Sequence, residues 1–215
     1  YSGWGQTDMR IINLLDPRMP AQWPGSEGFA WIAENVGEPI SGLDDPDIYD
    51  HRIVTDFENL TSCPFRPDRG YYHFSNYRFS RTDWYLSDWV GPLPEFLKAE
   101  NDMLIAEALL YLNRLDEAQT IINEGTRVTR GGLDPVGATA QEIADAIFHE
   151  RNIELFNSGL GIEFFTMRKA DMLQEGTFLH LPIPGSQLQT IGMEYYTFGA
   201  GVGVAGEDYS DGGWF

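Results

Sequence analysis

Apolar residues recur at the three- and four-residue spacing of an α-helix from Pro94 onward. Pro94 suits the first position of a helix, and Asn113 suits its end because asparagine tolerates the left-handed conformation. The pattern therefore predicts an amphipathic helix between these two residues. The stripe that we expect it to bury consists of Ile105, Ala108, Leu109 and Leu112.

A second helix is predicted from about Leu115 to Val128. Its apolar side carries Ala118, Ile121, Ile122 and Gly125. Because the connection between the two helices is short, we expect them to pack antiparallel as a helical hairpin. The spacing within LIAEALLYLNRLDEAQTII resembles a tetratricopeptide unit, in which the small residues Ala106 and Ala118 lie where two helices approach closely.

A third helix is predicted to begin at Thr139, because Glu142 follows three residues later as in a capping box. Its expected buried stripe consists of Ala144, Ile147, Phe148 and Leu155. Arg151 falls on the same stripe, and a buried guanidinium needs a partner, so we expect a carboxylate or several carbonyl groups around it. Glycines after this helix end it, and a shorter helix is expected from about Glu163 to Gln174.

The first 94 residues read as irregular, because prolines and glycines are too closely spaced for long helices. A short strand is predicted within Tyr71–Phe79, where aromatic residues are dense. We therefore divide the chain into a loop-rich region (1–94), a helical region (95–175) and an extended, loop-like tail (176–215). The first region contains five of the six tryptophans.

Composition narrows the possible functions of the 215-residue chain. Fourteen basic and 33 acidic residues give a net charge of −19, which repels phosphate backbones and argues against a nucleic-acid partner. Cys63 is the single cysteine, so an intramolecular disulfide and a cysteine zinc site are excluded. No signal-peptide pattern follows Tyr1, so if the protein is exported, we expect its signal upstream of this sequence.

Five segments in order resemble the C-terminal half of the SusD/RagB family of outer-membrane nutrient-binding lipoproteins. These segments are LLDPR ending beside Pro17, AEALLYLNRLDEAQTIIN, TRVTRGGL, ERNIELFNSGLGIEFFTMRK and LHLPIPGSQL. The sequence departs from the family pattern at Thr166, where an aspartate is usual, and at Lys169, where a second arginine is usual. These two changes bear on the local salt bridges.

The resemblance implies a mainly α-helical fold, with tetratricopeptide-like hairpins that carry long, irregular, aromatic-rich loops. It also implies a non-catalytic role, without a cofactor, in capturing oligosaccharides at the bacterial cell surface. The implied partners are a SusC-like TonB-dependent transporter and the N-terminal half of the same protein. The implied anchor is a lipid on an N-terminal cysteine outside this chain.

The aromatic loops are the candidate ligand site, because sugar rings stack on aromatic faces while polar neighbours bind the hydroxyl groups. The expected stacking and hydrogen-bonding residues are Trp23, Trp31, Tyr72, Trp84, Tyr85, Asn76, Arg81 and Asp83. The competing interpretation is that these rings anchor the loops to the helical core.

Three other functions stay open as alternatives: a peptide-binding member of the same uptake family, a tetratricopeptide adaptor and a glycoside hydrolase. The hydrolase would use Glu150 and Glu154 as paired acids, but residues four apart on one helix share a face and do not oppose each other across a substrate. We expect these two carboxylates to pair with Arg151 and Arg168 instead. The aspartates between Asp44 and Asp50 lack the spacing of a calcium loop, so no metal site is expected.

Overall fold

The computed structural model describes residues 6–61, 74–85, 90–92, 94–158, 162–172 and 183–194. Helices make up most of the regular structure, and one small three-stranded sheet accompanies them. The chain forms two compact units, Tyr1–Leu160 and Gly161–Phe215. The mainly helical class predicted from the sequence is therefore confirmed. Tyr72 and the glycine-rich end of the tail lie outside the described residues.

The three strands are β1 (Gln6–Asp8), β2 (Phe57–Asn59) and β3 (Phe74–Phe79). In the first unit, the helices are α1 (Met9–Leu15), α2 (Gly28–Asn35), α3 (Arg52–Thr55), α4 (Lys98–Tyr111), α5 (Leu115–Asn123), α6 (Thr126–Thr129) and α7 (Ala140–Ile153). In the second unit, they are α8 (Ile162–Lys169) and α9 (Gly185–Thr190).

The sheet and α1 form one hydrophobic core in the loop-rich region. The strand order is β1-β3-β2, and β3 pairs antiparallel with both neighbours. Alternate residues of β3, such as Tyr77 and Phe79, are buried, as expected for a strand with one face on a core. Asp8 caps α1 by accepting a hydrogen bond of 2.8 Å from the Arg10 backbone N–H. The helix then packs its buried residues against α7, which ties this region to the helical one.

A second hydrophobic core lies among α4, α5 and α7. Ala106 and Ala118 are fully buried there, together with the larger Leu109 and Ile122. Thr139 caps α7, since its hydroxyl accepts a hydrogen bond of 3.2 Å from the Glu142 backbone N–H, as the sequence predicted. Asn113 has a φ of 56°, which confirms the left-handed turn between α4 and α5.

The buried side of α4 differs from the predicted one. The helix buries Ala99, Met103, Ala106 and Leu109, whereas Ile105, Ala108 and Leu112 are exposed. The prediction was wrong because α4 carries apolar residues on two sides, and hydrophobic spacing cannot show which side faces the core.

Two other helices end earlier than expected. The helix predicted to reach Val128 stops at Asn123, because Gly125 adopts an extended conformation with ψ of −163° and starts the short α6. The shorter helix of the second unit ends at Lys169 and not at Gln174. Within the tail that we expected to be extended, Gly185–Thr190 form the helix α9, whose Leu188 is buried.

Candidate functional site

A cluster of buried charges connects the loop-rich region to α7. Arg52 begins α3, and its backbone N–H and Nε each donate a hydrogen bond of 2.9 Å to Oδ1 of Asp50. Its Nη2 donates to Asp50 Oδ2 at 2.7 Å. The side chains of both residues have no exposed surface. Asp50 therefore holds the Arg52 guanidinium in one orientation through contacts made within the loop-rich region.

Glu150 of α7 and Glu154, the residue that caps the end of this helix, complete the arrangement from the other side. Glu150 accepts from Nη1 and Nη2 of Arg52 at 2.9 and 2.8 Å, and from the Thr126 hydroxyl at 2.7 Å. Glu154 accepts from Arg130 at 2.5 Å and from Arg81 at 2.9 Å. We call Asp50, Arg52, Glu150 and Glu154 the buried charge cluster.

Burial makes this cluster depend on its internal hydrogen bonds. Burial of the Asp50 carboxyl by itself raises its pKa, but hydrogen bonds from His149 and Arg52 outweigh that effect and lower the pKa to about 2. Burial likewise lowers the pKa of Arg52, while hydrogen bonds to Asp50 and Glu150 raise it well above its usual value. His149 contributes through its Nε2, which lies 3.0 Å from Asp50 Oδ2.

The expected partners of these glutamates were wrong. Glu150 and Glu154 pair with arginines from other segments, whereas Arg151 pairs with Glu107 of α4 at 2.9 Å. Arg151 follows Glu150 directly, and neighbouring positions on a helix point in different directions, so the two side chains do not face each other. A carboxylate beside Arg151 was nevertheless the correct expectation.

A short turn after β3 contains four of the predicted ligand residues, Arg81, Asp83, Trp84 and Tyr85. Asp83–Tyr85 form a single 3-10 turn, and the backbone N–H groups of Ser80 and Arg81 donate to the Asp56 carbonyl at 2.8 and 3.2 Å. We call residues 80–85 the tryptophan turn, because Trp84 lies on it with 54% of its surface exposed.

Two ion pairs hold the tryptophan turn in place. Arg78 of β3 donates to both carboxylate oxygens of Asp83, at 2.8 and 2.6 Å, and this contact lowers the pKa of Asp83. Arg81 binds the side chain of Glu154 at 2.9 Å and its carbonyl at 3.1 Å. The turn is thus attached both to the sheet and to the buried charge cluster. Arg81 and Asp83, predicted to orient a ligand, thus bind partners within the protein on either side of Trp84 in the sequence.

Next to Trp84, the ring of Tyr85 packs edge-on, with centroids 6.0 Å apart. Gly91 lies beside both rings, and a Cβ there would be 3.5 Å from the Trp84 indole. One exposed indole supported by a second ring and a backbone segment has the form of a stacking platform.

The remaining predicted residues divide between core and surface. Trp23 is 9% exposed, packs edge-on against Phe29 at 5.1 Å, and lies so close under Gly28 that a Cβ there would meet its indole at 2.2 Å. Asn76 is also buried, and its amide donates to the Leu60 carbonyl at 3.3 Å. Trp31, in contrast, is 39% exposed on α2.

The aspartates between Asp44 and Asp50 serve local structure. Asp45 accepts from the backbone N–H groups of Ser41 and Asp47, and Asp47 pairs with Arg18 at 2.8 Å. Among the described residues, no group of three or more acidic, histidine or cysteine side chains is arranged to hold a metal ion.

Sequence reasoning missed Arg52, Asp56 and Arg130, all of which contribute to the charged contacts around Glu154. Arg130 lies in the TRVTRGGL segment, where only its place in a turn was noticed. The available signal was the spacing of Glu150 and Glu154, four residues apart at the end of α7, because two buried carboxylates on one face require cations from elsewhere in the chain.

Comparison with known proteins adds no further assignment. No family, curated protein or solved structure matches this chain. Among the helices that the structure describes, none is long and apolar enough to cross a membrane.

Proposed function

We propose that the protein is a non-catalytic glycan-binding protein of the SusD/RagB type. In this proposal it acts at the bacterial outer-membrane surface, lipid-anchored through a cysteine outside this chain, and delivers oligosaccharides to a SusC-like TonB-dependent transporter. The observation that carries the proposal is Trp84, a largely exposed indole on a turn held by two ion pairs. Exposing a large aromatic side chain on an ordered turn suits a binding surface.

Rigidity matters here because a neutral sugar offers few strong contacts. A platform that is already ordered loses little conformational entropy when the ligand binds, so more of the stacking energy contributes to affinity. The Arg78–Asp83 and Arg81–Glu154 pairs supply this order to the tryptophan turn. Trp31 and Tyr85 are proposed as additional stacking residues, whereas Trp23 and Asn76 support the core. Tyr72 keeps its proposed ligand role on sequence grounds alone.

The absence of catalysis in this proposal is supported by the environment of the two glutamates. A glycosidase needs two carboxyl groups that reach the substrate from opposite sides. Glu150 and Glu154 are 1% and 3% exposed, and both bind arginines within the protein. Their chemistry is that of structural ion pairs.

We infer that α4 and α5 form a tetratricopeptide-like hairpin that supports the aromatic loops. The support is that Ala106 and Ala118 are fully buried in the core that these two helices share.

Isothermal titration against a panel of soluble oligosaccharides tests the function. We expect Trp84→Ala and Trp31→Ala to weaken binding by about tenfold, with the helical circular-dichroism signal unchanged. Tyr49→Ala is the matched control, since Tyr49 is an exposed aromatic residue in another loop. Unchanged affinity in both tryptophan variants would refute the site, and release of shorter sugars from the panel would refute the non-catalytic role.

A further inference from the structure

Helix α4 is apolar on two sides, and among the described residues of the first unit only one of these sides is buried. Its buried side consists of Ala99, Met103, Ala106 and Leu109. On the opposite side, Leu104 is 51%, Ile105 is 43% and Leu112 is 65% exposed. Ala108, also exposed, lies between them. We call Leu104, Ile105, Ala108 and Leu112 the outer stripe.

The outer stripe has the spacing of a helix-packing surface. Leu104, Ala108 and Leu112 follow at four-residue intervals, which places them in one row along the helix, and Ile105 adjoins that row. A small residue at the centre of such a row lets a second helix approach closely. A helix with apolar residues on two opposite sides is normally buried on both of them. The exposed outer stripe is therefore a candidate surface for binding another molecule.

We propose that the outer stripe binds an amphipathic α-helix of another polypeptide, one whose apolar stripe is flanked by lysine or arginine. This inference does not depend on glycan binding. The shape of the row favours a helix as the occupant, and the charges around the row determine which kind of helix fits.

Those charges are predominantly acidic. Glu100 lies one turn before Leu104 on the same helix, and Asp116 lies in the first turn of α5, just beyond Leu112. The neighbouring cations already have partners: Lys98 binds Asp102 at 2.5 Å, and Arg114 binds Glu117 at 2.5 Å.

A basic partner therefore gains both apolar burial and charge attraction. A second copy of the same chain would bring the same acidic border and a net charge of −19 against the first, so it is the less favourable occupant. An anionic lipid surface would be repelled in the same way.

The test uses two fluorescein-labelled peptides, each about 18 residues long, with the same leucine stripe and either lysine or glutamate on the flanks. Fluorescence anisotropy measures their binding to the whole 215-residue chain. The test variant is Leu104→Ser with Leu112→Ser. Its matched control is Leu43→Ser with Val90→Ser, which also removes two exposed apolar side chains from the first unit.

The proposal predicts that the lysine-flanked peptide binds the unmodified protein and binds the test variant about tenfold more weakly, with the control unchanged. The glutamate-flanked peptide should bind weakly or not at all. Equal binding to the test variant would show general attraction to an acidic protein and overturn the proposal. Sedimentation of the unmodified protein as a dimer that the test variant disperses would also overturn it, in favour of self-association.

Discussion

Arg52 and Glu150 are 98 residues apart in the chain, yet they share two hydrogen bonds of 2.9 and 2.8 Å, with both side chains buried. This pair joins the loop-rich region to α7. Because each charge has been removed from water, its partner determines whether the folded state tolerates it.

Replacing Arg52 by alanine should lower the free energy of unfolding by about 3–5 kcal/mol, because Asp50 and Glu150 would remain as buried charges without their cation. Urea denaturation followed by circular dichroism measures the change. Arg114→Ala provides the control, since Arg114 pairs with Glu117 at the surface, where both side chains are more than half exposed. That control should change stability far less than Arg52→Ala does, because water and salt screen an exposed ion pair. Equal losses in the two variants would contradict the role given to burial.

Stability should also fall in acid through Asp50. Its pKa is lowered from 3.8 to about 2 in the folded state, so the folded state binds this proton less readily than the unfolded state. The contribution, on the order of 2 kcal/mol, is present above pH 4 and is lost as the pH falls towards about 2. Denaturation at a series of pH values should give a shallower acid limb for Asp50→Asn. An unchanged slope in that variant would mean that other carboxyl groups account for the acid sensitivity.

Replacing the buried tryptophan should cost more stability than replacing an exposed one. Trp23→Ala removes a buried indole and should cost about 3–5 kcal/mol, because the surrounding side chains cannot fill the cavity. Trp31→Ala and Trp84→Ala remove exposed rings and should each cost less than about 1 kcal/mol. Thermal unfolding distinguishes these cases. A large loss for Trp84→Ala would identify its ring as part of the core.

Gly132 should be intolerant of a side chain for two reasons. Its φ of 66° disfavours other residues, and a Cβ would lie 2.4 Å from the ring of His51. Gly37→Ala is the control for backbone strain, because Gly37 has a φ of 90° with open space around it. We expect Gly132→Ala to lower the melting temperature by more than Gly37→Ala does. Equal shifts would mean that His51 moves aside without cost.

Local signals in the sequence were sufficient for several elements. The cap at Thr139 and the left-handed turn at Asn113 each depend on residues a few positions apart, and the structure has both. The strand within Tyr71–Phe79 was predicted from β-forming residues and is found at Phe74–Phe79.

The long-range contacts could not be predicted from neighbouring residues in the sequence. Nothing in the residues near Arg81 indicates that it would bind Glu154, 73 positions later. Asp83 was expected to bind ligand hydroxyl groups because it lies beside predicted stacking residues in the sequence, and its ion pair with Arg78 of β3 was not foreseen. Which side of α4 faces the core was likewise undetermined, because both sides are apolar.

The position of Glu150 and Glu154 has a practical consequence for dissecting this chain. Severing it near Pro94 would leave these two carboxylates on the helical piece, while Arg52 and Arg81, which neutralise them, would go with the other. The amino-acid composition changes near Pro94, but the ion pairs of Glu150 and Glu154 connect residues on both sides of that position. Expression of residues 95–158 by themselves should therefore yield an unstable polypeptide, and a useful division must keep both halves of this network together.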